Sequence, residues 1–319
     1  MSTKLIDSAE AFGQALVELG ELNPRVVIVE ADLADSCKSD MFRLRFPERS
    51  IEVGVAEATA IEVGAGLAFC GKIPFVNTFA VFATCRTYDQ IRQTIAYGRA
   101  NVKICGAAAG LTLGYAGASH HALEDLAIMR VLPNMTVVSP CDIVETRQMV
   151  HAIAEIEGPV YMRLSRVKKP PIFDENYHLE IGKAVVIQPG ADISIFATGD
   201  MVYEALYAAR ALSDQGVSAE VINIHTLKPL DVEGIVRSAR KTGAVVTVED
   251  HNIIGGLGGA ISECLGEHAP TPIRRIGLRD TFCESDSTPV LRRAYHLSSE
   301  DIVEAAHQAM GMRLEHVVV

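Results

Sequence analysis

Short runs of aliphatic and β-branched residues alternate with amphipathic stretches along the whole chain. The runs at residues 26–30, 73–77, 102–105, 135–138 and 160–164 read as strands, and the stretches at 88–97, 123–132 and 142–156 carry apolar positions at helical spacing. Such alternation predicts parallel β-α units with helices on both faces of a sheet. At residues 167–179 the pattern breaks. Lys168-Lys169-Pro170-Pro171, followed by Asp174-Glu175-Asn176, sustains neither helix nor strand, so a linker is expected there. A second series follows, with strands near 193–197, 219–224, 244–249 and 273–276 and helices near 202–212, 232–240, 259–267 and 299–310. The expected fold is α/β, with two doubly wound domains at residues 1–170 and 183–319.

Composition leaves room for that plan. A chain of 319 residues with 49% hydrophobic side chains can bury two ordinary cores. Asp and Glu number 40 against 29 Lys and Arg, a formal charge of -11, and no basic run is interleaved with aromatics, so nucleic acid is not an expected partner. Residues 1–10 lack the apolar core of a signal peptide, and every long apolar stretch is interrupted well short of a membrane span. A cytoplasmic protein is expected. The seven cysteines (37, 70, 85, 105, 141, 264 and 283) are scattered and never spaced C-x-x-C, which predicts reduced thiols and no zinc framework.

Sheets of this kind bind ligands at the carboxyl ends of their strands, so chemistry is expected in the loops at 32–36, 78–82, 114–121 and 165–166. Glu57 stands apart: it opens an almost uncharged helical run that continues to Gly71. Burial disfavours the charged form of such a carboxylate, which then tends to hold a proton or share one with a ligand nitrogen. The plainer alternative is an acid favoured at a helix N-terminus by the dipole.

Other motifs are weaker taken singly. Residues 66–72 match a phosphate-binding loop superficially, but Ile73 stands where Ser or Thr is required, and the segment leaves a helix for a strand, the reverse of a P-loop. Gly255-Gly256-Leu257-Gly258-Gly259 precedes a helix and could offer N–H groups to an anion. Its spacing is not the dinucleotide fingerprint, and tight strand-to-helix packing accounts for it. Ser119-His120-His121 has no nucleophile elbow, and adjacent histidines point apart, which suits neither a triad nor a joint metal site. Phe79 and Phe82 would ordinarily be core.

Taken together and in order, Ala31-Asp32-Leu33-Ala34, Gly54-Val55-Ala56-Glu57, Thr78-Phe79-Ala80-Val81-Phe82, Gly117-Ala118-Ser119-His120, Leu132-Pro133-Asn134-Met135, Leu164-Ser165-Arg166 and Val248-Glu249-Asp250-His251-Asn252 resemble the C-terminal half of transketolases. The resemblance is closest to the separate small subunit of split bacterial and archaeal enzymes. It implies a pyrimidine-binding domain followed by a transketolase C-terminal domain, with thiamine diphosphate as cofactor, whose thiazolium carbon must lose a proton. It puts Glu57 on the glutamate that hydrogen-bonds N1′ of the aminopyrimidine, and Phe79 and Phe82 on the aromatics that pack against that ring. Leu33 falls on the apolar wedge that keeps the cofactor bent, with Asp32 beside it. His120 falls on the histidine near the donor hydroxyls, where an imidazole can move a proton as the C–C bond breaks. Ser36 and Arg166 match positions that grip a sugar phosphate.

Two departures concern the substrate. The family usually has a histidine where this chain reads Ala107-Ala108-Ala109 and an aspartate where it has Ala116, and charge-assisted bonds of this kind are worth roughly 1.5–3 kcal/mol each. Modified sugars, apulose phosphate and sulfosugars among them, are therefore open as substrates. The magnesium-binding Gly-Asp-Gly of the family's diphosphate domain is also missing: Gly199-Asp200-Met201 lacks the last glycine and lies in the other domain. No metal ligands are expected from this chain. The resemblance implies a separate N-terminal subunit that carries the diphosphate and Mg2+ site, and an assembly of two copies of each chain. It implies transfer of a two-carbon ketol unit from a ketose to an aldose. The β subunit of a 2-oxoacid dehydrogenase shares the two-domain plan, and a catalytically silent homologue would accommodate Ala108 and Ala116. The surroundings of Glu57 and His120 are nearer to transketolase.

Overall fold

Twelve strands among the described residues form two sheets: β1 (Val26–Glu30), β2 (Ser50–Glu52), β3 (Ile73–Phe79), β4 (Lys103–Ala107), β5 (Thr136–Val138), β6 (Val160–Arg163), β7 (Val185–Gln188), β8 (Ile193–Ala197), β9 (Ala219–Asn223), β10 (Thr226–Lys228), β11 (Val245–Asn252) and β12 (Ile273–Leu278). The first sheet runs β10-β5-β6-β4-β3-β1-β2 and the second β12-β11-β8-β9-β7; only β10 and β7 pair antiparallel. The computed structural model describes residues 7–313. Most of the stretch read for a leader, and the last residues of the second unit, lie outside the described residues.

Strands β1, β3, β4 and β6 are buried at every position, as strands must be when helices cover both sheet faces. On one face Phe12 and Leu16 of helix Ser8–Leu22 and Met149, Val150 and Ile153 of helix Ile143–Glu155 pack over Val26, Ile28 and Phe75. Both helices begin at an aspartate cap: Asp7 accepts from the Glu10 N–H and Asp142 from the Glu145 N–H, each worth about 1 kcal/mol. On the other face Ile61 and Ala65 of helix Glu57–Phe69 meet Val29, Val76 and Ile104. That core continues through Phe196, Ile222 and Ile224 into the second domain.

Several elements depart from the sequence reading. The amphipathic stretch 88–97 is a short α-turn, Tyr88–Gln90, followed by a π-helix, Ile91–Tyr97, because an apolar stripe does not fix which hydrogen-bond register a helix takes. The helix expected over 123–132 is confined to Asp125–Arg130. β2, β7 and β10 were not foreseen. β10 crosses from the second half of the chain to become the edge of the first sheet, beside β5.

No helix or strand forms between β6 and β7, and this connection is fastened at several points. Asp142 accepts from the Ile172 and Phe173 N–H groups, Gln148 holds both Tyr177 and Leu179, and Phe173 stacks on Tyr177. Deeper in, Arg163 at the end of β6 donates to Asp125 and to the carbonyls of Ala122 and Asp250. Asp250 in turn accepts from the Leu111 N–H and from Arg292. The loop after β4 is thus braced by the second domain. No helix among the described residues is long and apolar enough to cross a membrane.

Candidate active site

Strands β6, β4, β3, β1 and β2 are parallel neighbours, so the loops after them emerge side by side at one rim. Every residue singled out for chemistry lies on that rim. Leu33, Phe79 and Phe82 form a small apolar cluster with Cys37, Ala107, Ala108 and Leu113. The Phe79 and Phe82 rings are 6.2 Å apart, and the His120 ring meets Phe82 edge-on at 5.1 Å. His120 Nδ1 lies 2.9 Å from Ser119 Oγ, whereas His121 turns the other way to the Gly114 carbonyl.

Glu57 is the first residue of its helix and only 3% exposed. Its neighbour Ala56 offers no side-chain cap, so the acid sits where the helix dipole favours it. The lone carboxylate expected from the sequence has a partner here. Arg86 Nη1 lies 3.2 and 3.4 Å from the two Glu57 oxygens, and its guanidinium rests 4.2 Å above the Phe82 ring centre. The contact joins residues 29 apart, from different loops, and the sequence pattern carries no sign of it.

A second residue missed by the sequence reading is Glu52. One of its oxygens accepts from the Asp32 N–H at 2.9 Å and from the Gly54 N–H at 2.7 Å. Asp32 and Gly54 both have positive φ, 57° and 74°, a conformation that costs the aspartate and that the glycine takes freely, so one carboxylate holds a turn on each loop. This ties the loop of Leu33 to the one that leads into Glu57. Glu52→Ala is expected to loosen both loops and speed amide hydrogen exchange at Asp32 and Gly54, with Glu52→Gln, which keeps the acceptor, close to the unsubstituted chain. Hydrogen exchange of the two variants checks this; equal behaviour of both would contradict it.

At the far end of the cluster, burial pushes the Cys37 thiol up to about 12, with Arg166 opposing it. Ser36 sits beside this thiol in the chain, so Arg166 is within electrostatic reach of the Ser36 turn. The Arg166 N–H donates to Thr112, and its side chain makes no hydrogen bond or ion pair among the described residues. Ala108, buried and left-handed, supplies an apolar wall, and Ala116 is exposed in a 3-10 turn.

Below the rim, Glu30 ends β1 with both carboxyl oxygens buried and short of a close hydrogen-bond partner. Burial pushes its carboxyl above the ordinary value, Glu52 and Asp40 add to this, and the nearby Ser39 hydroxyl and Arg43 oppose it. Between the ordinary and the raised value the native state holds a proton that the unfolded chain has released, so stability falls as pH rises through that window. Glu30→Gln is expected to flatten this dependence and to melt higher at neutral pH; thermal unfolding curves of the two proteins that stay parallel across pH would refute it.

The two glycine-flanked motifs find structural roles. Asp200 is buried and paired with Arg292, which also holds Asp250. The Leu257 and Gly258 N–H groups both donate to Glu249 at 2.7 Å. Burial pushes that carboxyl up to about 7 against the pull of the two N–H groups. The glycine run therefore does hold a carboxyl group, one of the protein's own, and a side chain at Gly256 would collide with Glu249 and His251.

Family models for the transketolase pyrimidine-binding domain and the transketolase C-terminal domain match residues 4–170 and 182–302. The chain belongs to the transketolase family. It is 45% identical to the 6-deoxy-6-sulfo-D-fructose transketolase subunit of Clostridium sp. (strain MSTE9), over 94% of this chain and 93% of that one. It is 35% identical to one of the subunits of the apulose-4-phosphate transketolase of Phocaeicola vulgatus, over 96% and 98%. A split-gene transketolase solved as an inactive β4 tetramer superposes with a TM-score of 0.89 at 45% identity, covering 97% of this chain and all of the other. Two α/β domains in this order are the transketolase arrangement, and the resemblance read from the sequence holds.

Proposed function

We propose that this chain is the C-terminal subunit of a split transketolase that, with a separate N-terminal subunit and thiamine diphosphate, moves a two-carbon ketol unit from a ketose to an aldose in the cytoplasm. The observation that carries the reading is the meeting of a buried carboxylate with two aromatic rings and an apolar wedge at one rim: Glu57, Phe79, Phe82 and Leu33. Such a set fits the flat aminopyrimidine end of the cofactor, with an apolar wall for the ring and an acid at its edge. When bound, the cofactor supplies the nucleophilic carbon that receives the two-carbon unit.

Each residue then has a task. Glu57 shares a proton at N1′. Phe79, Phe82 and Leu33 orient the ring and keep water from it, and Asp32 lines the cofactor beside Leu33. His120, its ring fixed against Phe82, moves a proton at a donor hydroxyl. Ser36 and Arg166 hold the far end of the sugar. The diphosphate and its Mg2+ fall to the partner subunit, since Asp200 of this chain is committed to Arg292 in the second domain. Two copies of each chain complete the assembly.

Two departures support a modified donor: alanines 107–109 stand where a histidine would meet a terminal phosphate, and Ala116 where an acid would accept from a sugar hydroxyl, so a donor with a different terminal anion or hydroxyl pattern loses less here than an ordinary sugar phosphate. Ketol transfer by the co-expressed pair from a sulfosugar, apulose 4-phosphate and fructose 6-phosphate tests the reading. Transfer from either modified sugar at a higher kcat/KM than from fructose 6-phosphate is expected. Oxidative decarboxylation of a 2-oxoacid with an artificial electron acceptor, in place of transfer, would overturn it.

A further inference from the structure

The guanidinium of Arg86 makes the two contacts that the reading above asks of the cofactor's ring. It is flat, it lies 4.2 Å above the centre of Phe82, and its edge presents N–H to both oxygens of Glu57 at 3.2 and 3.4 Å. An aminopyrimidine packed on Phe82 with N1′ at Glu57 would need the same space. Two flat groups cannot lie in contact with one ring face at the same place. We infer that Arg86 closes the ring site in the cofactor-free chain and must swing out before thiamine diphosphate can seat its aminopyrimidine. The inference rests on the cofactor reading of Glu57.

The neighbourhood suits a residue that moves. Arg86 lies in the three-residue turn 85–87 between helices Ala80–Thr84 and Tyr88–Gln90, and its side chain is 51% exposed, whereas Glu57 is held at 3%. Thr84 and Thr87, on either side of Arg86, donate to the carbonyls of Ala80 and Ala83, so the backbone is anchored and only the side chain is free to leave. Its departure matters chemically. A buried carboxylate stripped of its counter-charge is unfavourable, and a ring nitrogen that shares a proton with it restores the balance. Cofactor entry and the readiness of Glu57 to share a proton are thereby coupled through one arginine.

The test is calorimetric titration of the assembled complex with thiamine diphosphate, and separately with inorganic pyrophosphate, both with Mg2+, for the unsubstituted pair and for Arg86→Ala and Arg86→Gln. If the site stands open about one-tenth of the time, removing the latch tightens thiamine diphosphate binding roughly tenfold. Pyrophosphate affinity should not change, since that ligand has no ring to seat. Arg86→Gln keeps a donor for Glu57 without the charge, and an intermediate gain is expected from it even if the alanine variant proves poorly folded. Weaker or unchanged thiamine diphosphate binding in the variants overturns the latch. Failure of the unsubstituted complex to bind thiamine diphosphate would instead overturn the cofactor reading itself, and the latch with it.

Discussion

Glu57→Gln in the assembled complex is expected to lower kcat by about a hundred- to ten-thousand-fold, the range over which a positioned acid or base acts. The glutamine keeps the size and hydrogen-bonding edge of the side chain but cannot hold and release a proton. Folding should survive, because Glu57 heads its helix and its one cation, Arg86, is half exposed and can turn to water. Glu57→Asp would draw the carboxyl back by one methylene, away from the place Arg86 now reaches, and should fall between the two. Steady-state ketol transfer of the three proteins checks this. An equally active Glu57→Gln complex would remove the acid from the account.

Arg163→Ala should have the largest effect on stability. Arg163 is wholly buried and donates to Asp125, to the Ala122 carbonyl and to the Asp250 carbonyl. Burial alone would raise the Asp125 carboxyl, but the Arg163 charge, with His251 and the Tyr161 hydroxyl, holds it below the usual carboxylate value. Removing the guanidinium leaves a buried carboxylate without its cation, which costs about 3–5 kcal/mol. It also frees the loop after β4, because the Asp250 that Arg163 supports is the residue that grips Leu111. Arg147→Ala, which breaks the surface pair with Glu18, should cost under about 1 kcal/mol. Urea unfolding of both variants gives the comparison; equal losses would mean that the buried network does not bind the domains.

Strands β1, β3, β4 and β6 were legible because burial on both faces leaves an unbroken apolar run. β2 (Ser50–Glu52) and β10 (Thr226–Lys228) each hold a single aliphatic residue, so no apolar run marks them, and β10 takes its place only through a partner far away in the chain. The rim was legible as a set of loops, and Leu33, Phe79, Phe82, Glu57 and His120 do converge there. Arg86 and Glu52 were not, since each acts through a contact between different loops. Their only trace in the sequence is a charge beside a candidate site residue. Asp200 and Arg292 are 92 residues apart, so the pair that gives Asp200 a structural role could not be read from the Gly-Asp-Met motif.

The central claim is that this chain supplies one half of a cofactor site. Calorimetric titration of thiamine diphosphate with Mg2+, into the chain alone and into the chain co-purified with an N-terminal transketolase subunit, tests it most directly. Tight binding by the pair and none by the chain alone is the expected result. Tight binding by the chain alone, or none by the pair, would contradict it.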